Sequence, residues 1–196
     1  MTYKVFQTIT DAAKRNNTLV SSTDVARNWF TVATQSMKAV TPRSIINTAA
    51  NVSSDVPSVG SMQLFAYDPK TKHDLPYYDR FPLIFLIDAD RTGFTGLNMH
   101  YLPLDARAQL MDALYSIAYT EGSNSLQLSY DLLKSTTRLK LFKPCFKRYL
   151  NTQVRSNFAT IEKDNWNVAL FLPLARFEKA SMTHVHAESI KKVNNG

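Results

Sequence analysis

The chain has 196 residues, 44% hydrophobic and 20% charged, a globular composition that excludes disorder throughout. Lys and Arg outnumber Asp and Glu by 23 to 16, and the resulting charge of +7 biases the chain toward phosphate-rich or acidic partners. A single cysteine, Cys145, excludes an intrachain disulfide and a Cys-based zinc site. Nothing near Cys145 in sequence resembles a thiolate-activating constellation, and it is expected to be partly buried and inert. Residues 1–17 hold no apolar stretch of signal-peptide length, and no clean apolar run is longer than Leu83 to Ile87. Neither secretion nor a membrane span is expected.

The first predicted helix covers residues 2–16, with Val5, Ile9 and Ala12 or Ala13 on one face. A second runs from Asp24 to Val40, where Val25, Trp29, Val32, Ala33, Ser36 and Val40 recur at helical spacing, Ser21 to Thr23 offer N-caps and Pro42 ends it. Residues 41–60 are small and polar, with two prolines and no aromatic ring, and read as a linker or an arm ordered by a partner. The division expected is therefore an N-terminal helical arm over 1–59 and a compact domain over 60–196.

Met62 to Tyr67 alternates as a strand and ends on Asp68 and Pro69. Leu83 to Ile87 reads as a buried strand, DADRTG as a turn and Phe94 to Tyr101 as the returning strand of a hairpin. Leu104 to Tyr119 carries Leu110, Met111, Leu114, Ile117 and Ala118 as a helical stripe closed by Gly122. A shorter helix follows near 126–134, and residues 139–150, 154–161 and 166–172 read as three more strands. Strand groups separated by helices make an α+β fold: a small, bent antiparallel sheet or SH3-like barrel with packed helices.

Asp68, His73, Asp74 and Asp79 are the most enzyme-like cluster, yet no spacing gives them a shared face. Their Pro-rich context reads as turns and as charges guarding the sticky strand at 83–87, with Tyr77, Tyr78 and Phe81 packing. Asp88 and Asp90 lack the rest of a calcium loop and read as hairpin-tip solvation. His184 and His186 would share one side of a strand without a third ligand, and His100 reads as a hydrogen-bonded core or rim residue. There is no phosphate loop, dinucleotide fingerprint, nucleophile elbow or HExxH, so no enzyme, cofactor, metal or small-molecule substrate is expected.

The informative stretch is KSTTRLKLFKPCFKRYLNTQVR, residues 134–155, which holds seven basic residues and no acid. Arg138, Lys140, Lys143, Lys147, Arg148 and Arg155 are the candidate contacts to nucleic-acid phosphates, with Phe142, Phe146 and Tyr149 packing inside or stacking on bases. A solvated face beside a core strand is the competing reading.

The segments YDPKTKHDLPYYDRFPLIFLI, GFTGLNMHYLP and RAQLMDALY resemble a structural protein of T-even-type myovirus phages and their cyanophage relatives, best associated with the phage DNA end protector family. ARNWFTVATQSMKAVTPRSII upstream and KRYLNTQVRSNFATIEKDNWNVALFLPLARF downstream resemble it more loosely. The resemblance implies a non-enzymatic virion protein, made in the host cytoplasm, that binds or caps packaged DNA ends. Double-stranded DNA and other virion subunits would be its partners, and a membrane would not. A neck, tail or baseplate subunit acting through protein contacts is the alternative. That role calls for exposed apolar anchors, for which Trp29, Phe30 and Ile45 are the candidates.

Overall fold

The computed structural model describes residues 4–16, 24–35, 37, 40–49, 58–120 and 140–195. Helices α1 (Lys4–Arg15), α2 (Asp24–Gln35) and α3 (Pro42–Ala49) come first, then β1 (Met62–Leu64), β2 (Tyr78–Asp79), β3 (Leu83–Ala89) and β4 (Gly93–Asn98). After α4 (Leu104–Thr120) the chain forms β5 (Phe146–Leu150), β6 (Ala159–Ile161), α5 (Trp166–Phe171), β7 (Phe177–Glu178) and α6 (Met182–Asn194). The fold is α+β. One antiparallel sheet has the order β5-β4-β3-β1-β6, and β2 pairs with β7 in a separate ribbon. No described helix is long and apolar enough to cross a membrane.

The sheet is buried on both faces because its strands are apolar on both. Met62, Leu64, Leu83, Phe85, Ile87 and Leu97 face the helices and join the main core. Phe65, Ile84, Leu86, Phe94 and Tyr149 form a second core on the concave side. There Phe65 meets Phe94 at 5.4 Å, Tyr149 at 5.3 Å and Phe158 at 5.0 Å between ring centroids. A register shift between Leu86 and Asp88 bends β3. The bend brings the chain after β1 against the chain after β5, where Tyr67 bridges Val154 and Arg155 N–H donates to the Ala66 carbonyl at 2.8 Å. The expected bent sheet thus curls toward a small barrel.

β4 and β5 approach so closely that a side chain at Gly93 would fall on the Tyr149 carbonyl oxygen, with the Leu150 Cα only 3.1 Å away. Both neighbours are backbone and cannot swing aside. Gly93→Ala is expected to cost about 3 kcal/mol in unfolding free energy, at the upper end of overpacking. Chemical denaturation checks this, and a loss below about 0.5 kcal/mol, the range of inert surface changes, would mean that the two strands separate freely.

The helical layer is organised by α5, all six of whose residues are buried. It was expected as a strand. A short, mostly apolar run does not distinguish helix from strand by periodicity, and here it is enclosed by α1, α2 and α4. Trp166 sets its ring edge-on to Phe85 at 4.7 Å, and Phe171 stacks on Phe30 at 5.4 Å. Thr10 donates to the Asn165 side chain at 2.8 Å and Thr34 to the Phe171 carbonyl at 3.2 Å, tying α1 and α2 to this segment.

The N-terminal helices also differ in detail from expectation. Phe6, Ile9, Thr10 and Ala13 form the buried face of α1. α2 ends at Gln35 and buries Ala26, Phe30 and Thr34, leaving Val25 77% and Val32 60% exposed. Pro42 does not end a helix but starts α3, at the first-turn position where its missing N–H costs nothing. Thr41 and Ser44 exchange backbone and side-chain hydrogen bonds at 3.1 Å each, a capping box with Ser in the usual place of Glu. Eight residues of the stretch read as a linker are therefore helical, and its Ile45 and Ile46 join the main core. The helix expected over 126–134 lies outside the described residues.

Candidate nucleic-acid interface

Two clefts flank Tyr67 and Tyr78, which belong to the walls of both. The larger, about 610 Å³, is bounded by α3, the end of β1, the 67–81 connection and the segment after β5. Arg43, Lys72, Arg80 and Arg155 reach it from separate parts of the chain, against Asp68 and Glu178. Lys72 pairs with Asp68 at 3.0 Å and Arg80 with Glu178 at 3.1 Å. Arg155 bonds only neutral groups, the Thr152 carbonyl at 3.0 Å and the Gln153 side chain at 3.1 Å. Arg43 forms no ion pair among the described residues, so the cleft keeps two cations free for an anion.

The smaller cleft, about 390 Å³, is lined by Lys70, Lys147, Arg148 and Lys192 together with five tyrosines. Lys147 is half-buried and its ammonium lies 4.1 Å from the centre of the Tyr101 ring. Burial, with Lys192 nearby, pulls that ammonium down to about 8. Burial likewise pushes the Cys145 thiol up to about 12, so this cysteine is fully buried and inert. Arg148 is exposed and paired with Asp90, its Nη2 donating to Oδ2 at 2.6 Å and to the Thr92 hydroxyl at 2.9 Å.

Asp90 belongs to the β3–β4 turn, as expected of a hairpin tip. Its other oxygen accepts from the Thr92 N–H and hydroxyl, both at 2.7 Å, and from Gly93 N–H at 3.1 Å. The Thr92 hydroxyl, the Thr92 N–H and then Arg148 hold its carboxyl well below the usual carboxylate range.

Beneath the smaller cleft lies a buried polar network. Asp79 Oδ2 accepts from His100 Nδ1–H at 2.7 Å and from Asn98 at 3.1 Å. Its Oδ1 accepts from the N–H groups of Phe81 at 3.1 Å and Arg176 at 3.4 Å. Asn98 also donates to the Tyr149 hydroxyl at 3.1 Å, which joins β4 to β5 inside the concave core. Arg107, 3% exposed, donates to the carbonyls of Leu102 at 2.6 Å, Leu170 at 3.2 Å and His100 at 3.3 Å. His100 is the hydrogen-bonded core histidine expected, and burial keeps it neutral. Lys179, at a left-handed φ of 67°, fastens the loop before β2 by donating to the carbonyls of His73 at 2.8 Å and Leu75 at 3.0 Å.

Of the predicted phosphate contacts, Lys147 and Arg148 line the smaller cleft and Arg155 the larger. Lys143 is exposed but lines neither. Lys140 sits in the 3-10 segment Lys140–Cys145, and Arg138 lies outside the described residues. Arg43, Lys70, Lys72, Arg80 and Lys192 were not anticipated. Lys70, Lys72 and Arg80 stand in YDPKTKHDLPYYDR among aromatic rings, a signal masked by its turn composition.

The acidic cluster does not assemble. Asp79 is buried, Asp68 pairs with Lys72, and His73 and Asp74 are exposed in the loop. Among the described residues no three His, Cys, Asp or Glu converge to hold a metal. His184 and His186 lie on α6 and not on a strand, so two positions apart they diverge. His184 is near Glu188 at 3.9 Å, whereas His186 bonds the His100 carbonyl at 3.0 Å. Ser181 caps that helix by accepting from His184 N–H at 3.2 Å. The anchors expected for a partner are turned inward: Phe30 and Ile45 are 1% and 3% exposed, and Trp29 packs half-buried against the same core.

A family model described as phage T4 terminal DNA protecting protein matches residues 8–193, nearly the whole chain. The chain belongs to the phage T4 terminal DNA protecting protein family. The match covers both clefts and the helices behind them, so the family is shared by the whole fold and not by one motif. A fragment also matches subunit 23 of the Mediator of RNA polymerase II transcription from Drosophila melanogaster, 34% identical over 96 residues. That alignment covers 45% of this chain and spans only 6% of the length of the Mediator subunit. No solved structure matches.

Proposed function

We propose that this protein is a non-enzymatic virion component that binds and caps the ends of double-stranded DNA, with the two clefts around Tyr67 and Tyr78 as its contact surface. The observation that carries the reading is the convergence of Arg43, Arg80 and Arg155 from three distant parts of the chain on one cleft. Membership of a family named for protecting DNA termini gives that cationic surface its ligand. Phosphate contacts of this kind fix position without reading sequence, which suits a cap that must accept any terminus.

The test is binding of purified protein to a labelled blunt linear duplex and to a closed circle of the same sequence across a salt series. Preference for the linear form, weakening with log salt at about 0.9 per phosphate contact, is the expected result. Equal binding to both forms would reduce the surface to general duplex contact, and no binding at low salt would overturn the DNA reading. The last outcome would favour a neck, tail or baseplate subunit, for which exposed Val25 and Val32, one face of α2, offer the apolar contact.

A further inference from the structure

The smaller cleft has a chemistry that duplex phosphates do not need. We propose that it receives a single nucleotide peeled from the DNA terminus, its phosphate between Lys147 and Lys192 and its base against Tyr78. It rests on the end-capping reading above. At about 390 Å³ the cleft is at the small end of the roughly 300–1,000 Å³ typical of small-ligand sites. A duplex, with a major groove alone about 12 Å across, cannot enter it.

The cations demand an anion. Lys147 is half-buried without a carboxylate partner among the described residues, facing the Tyr101 ring, the neutral Cys145 thiol and the Lys192 ammonium. Two ammonium groups oppose each other there, and burial already pulls Lys147 toward its uncharged form. A phosphate between them relieves both costs. Asp79, the acid in the cleft wall, is saturated by His100, Asn98 and two backbone N–H groups, so it cannot serve.

The aromatic partner follows by elimination among the lining tyrosines. Tyr101 is covered by Lys147, and Tyr149 is 4% exposed and stacked on Phe94. Tyr77 is spent on Glu188 and Tyr67 on Leu150 N–H and the Tyr149 ring. Tyr78 is half-buried and has neither a ring contact nor a side-chain hydrogen bond among the described residues. It stands between the two clefts, where a base split from the end of a duplex held by Arg43 and Arg155 would arrive. Stacking on a tyrosine tolerates any base, and a terminal base pair, stacked on one side only, costs less to open than an internal one.

The probes are deoxyadenosine 5′-monophosphate, deoxyadenosine and inorganic phosphate, titrated by calorimetry into the full chain. Saturable binding of the monophosphate, at least about tenfold tighter than either other probe, is expected because phosphate and base sites must act together. Tyr78→Leu should lower monophosphate affinity about tenfold and leave inorganic phosphate unchanged. Affinity should fall as pH rises through 8, where Lys147 loses its proton, and Lys147→Arg should remove that inflection. Monophosphate binding no tighter than inorganic phosphate, or none, overturns the nucleotide site whatever the variants do. Should linear DNA still be preferred over circles in that case, end capping stands without it; monophosphate binding with no preference for linear DNA keeps the nucleotide site and removes end capping.

Discussion

Asp79→Ala is expected to lower the unfolding free energy by about 3–5 kcal/mol, the cost of breaking a buried charge network by removing one partner. Asp79 is 3% exposed and accepts four hydrogen bonds, so its loss orphans donors on Asn98, His100, Phe81 and Arg176 together. It also removes the carboxylate that offsets the buried Arg107 guanidinium, which desolvation already pulls down to about 10. Asp79→Asn keeps the shape but presents an NH₂ group to N–H donors, and should recover only part of the loss. Urea unfolding of the three proteins measures this. A change below about 1 kcal/mol for the alanine variant, the average for any point substitution, would mean that the network positions side chains without stabilising the fold.

The same network sets an acid limit. Burial holds the folded-state pKa of His100 below its ordinary 6.5. The unfolded chain therefore binds the proton first as pH falls, and stability present above 6.5 is lost progressively below it. A His100→Gln variant, less stable at neutral pH, should show a shallower decline between pH 6.5 and 5. Since Asp79 and Tyr149 both belong to the wall of the smaller cleft, acid should disturb that cleft before the α5 core.

The sequence was legible wherever one physical signal dominated. The five-residue apolar run at Leu83 to Ile87, too short for a helix and flanked by turn residues, read as a buried strand, and the stripe of Leu110 and Met111 after Pro103 marked α4. It misled where two signals coincide. WNVALF is buried at every position and apolar at all but Asn167, so nothing in its pattern separates a strand from a helix buried all round. In α2, Val25, Trp29 and Val32 make as regular a stripe as Ala26, Phe30 and Thr34, and the chain buries the second through Phe30 against Phe171 and the Thr34 bond to the Phe171 carbonyl. The basic run was visible in one dimension, yet cationic sites are assembled in three. Lys147 and Arg155 lie close in sequence but serve different clefts, while Arg43 joins Arg155 across more than a hundred residues.

Arg43→Glu combined with Arg155→Glu is expected to weaken binding to a linear duplex on the order of 100-fold at low salt, about tenfold per reversed phosphate contact. The slope of log affinity against log salt should fall by about 2, since two counterion-releasing contacts are lost. Neither arginine has an acidic partner among the described residues, and both are exposed, so the fold should tolerate the change. Lys143→Glu makes a reversal of the same sign on an exposed residue that lines neither cleft, and screening should confine its effect to about threefold or less near 0.1 M salt. The comparison separates a built site from net charge. If affinity follows only the number of charges reversed, Lys143→Glu will lose half as many decades as the double variant, and the larger cleft has no special role. If the double variant alone loses binding and its salt slope, the phosphates lie where α3 and the segment after β5 bring their arginines together.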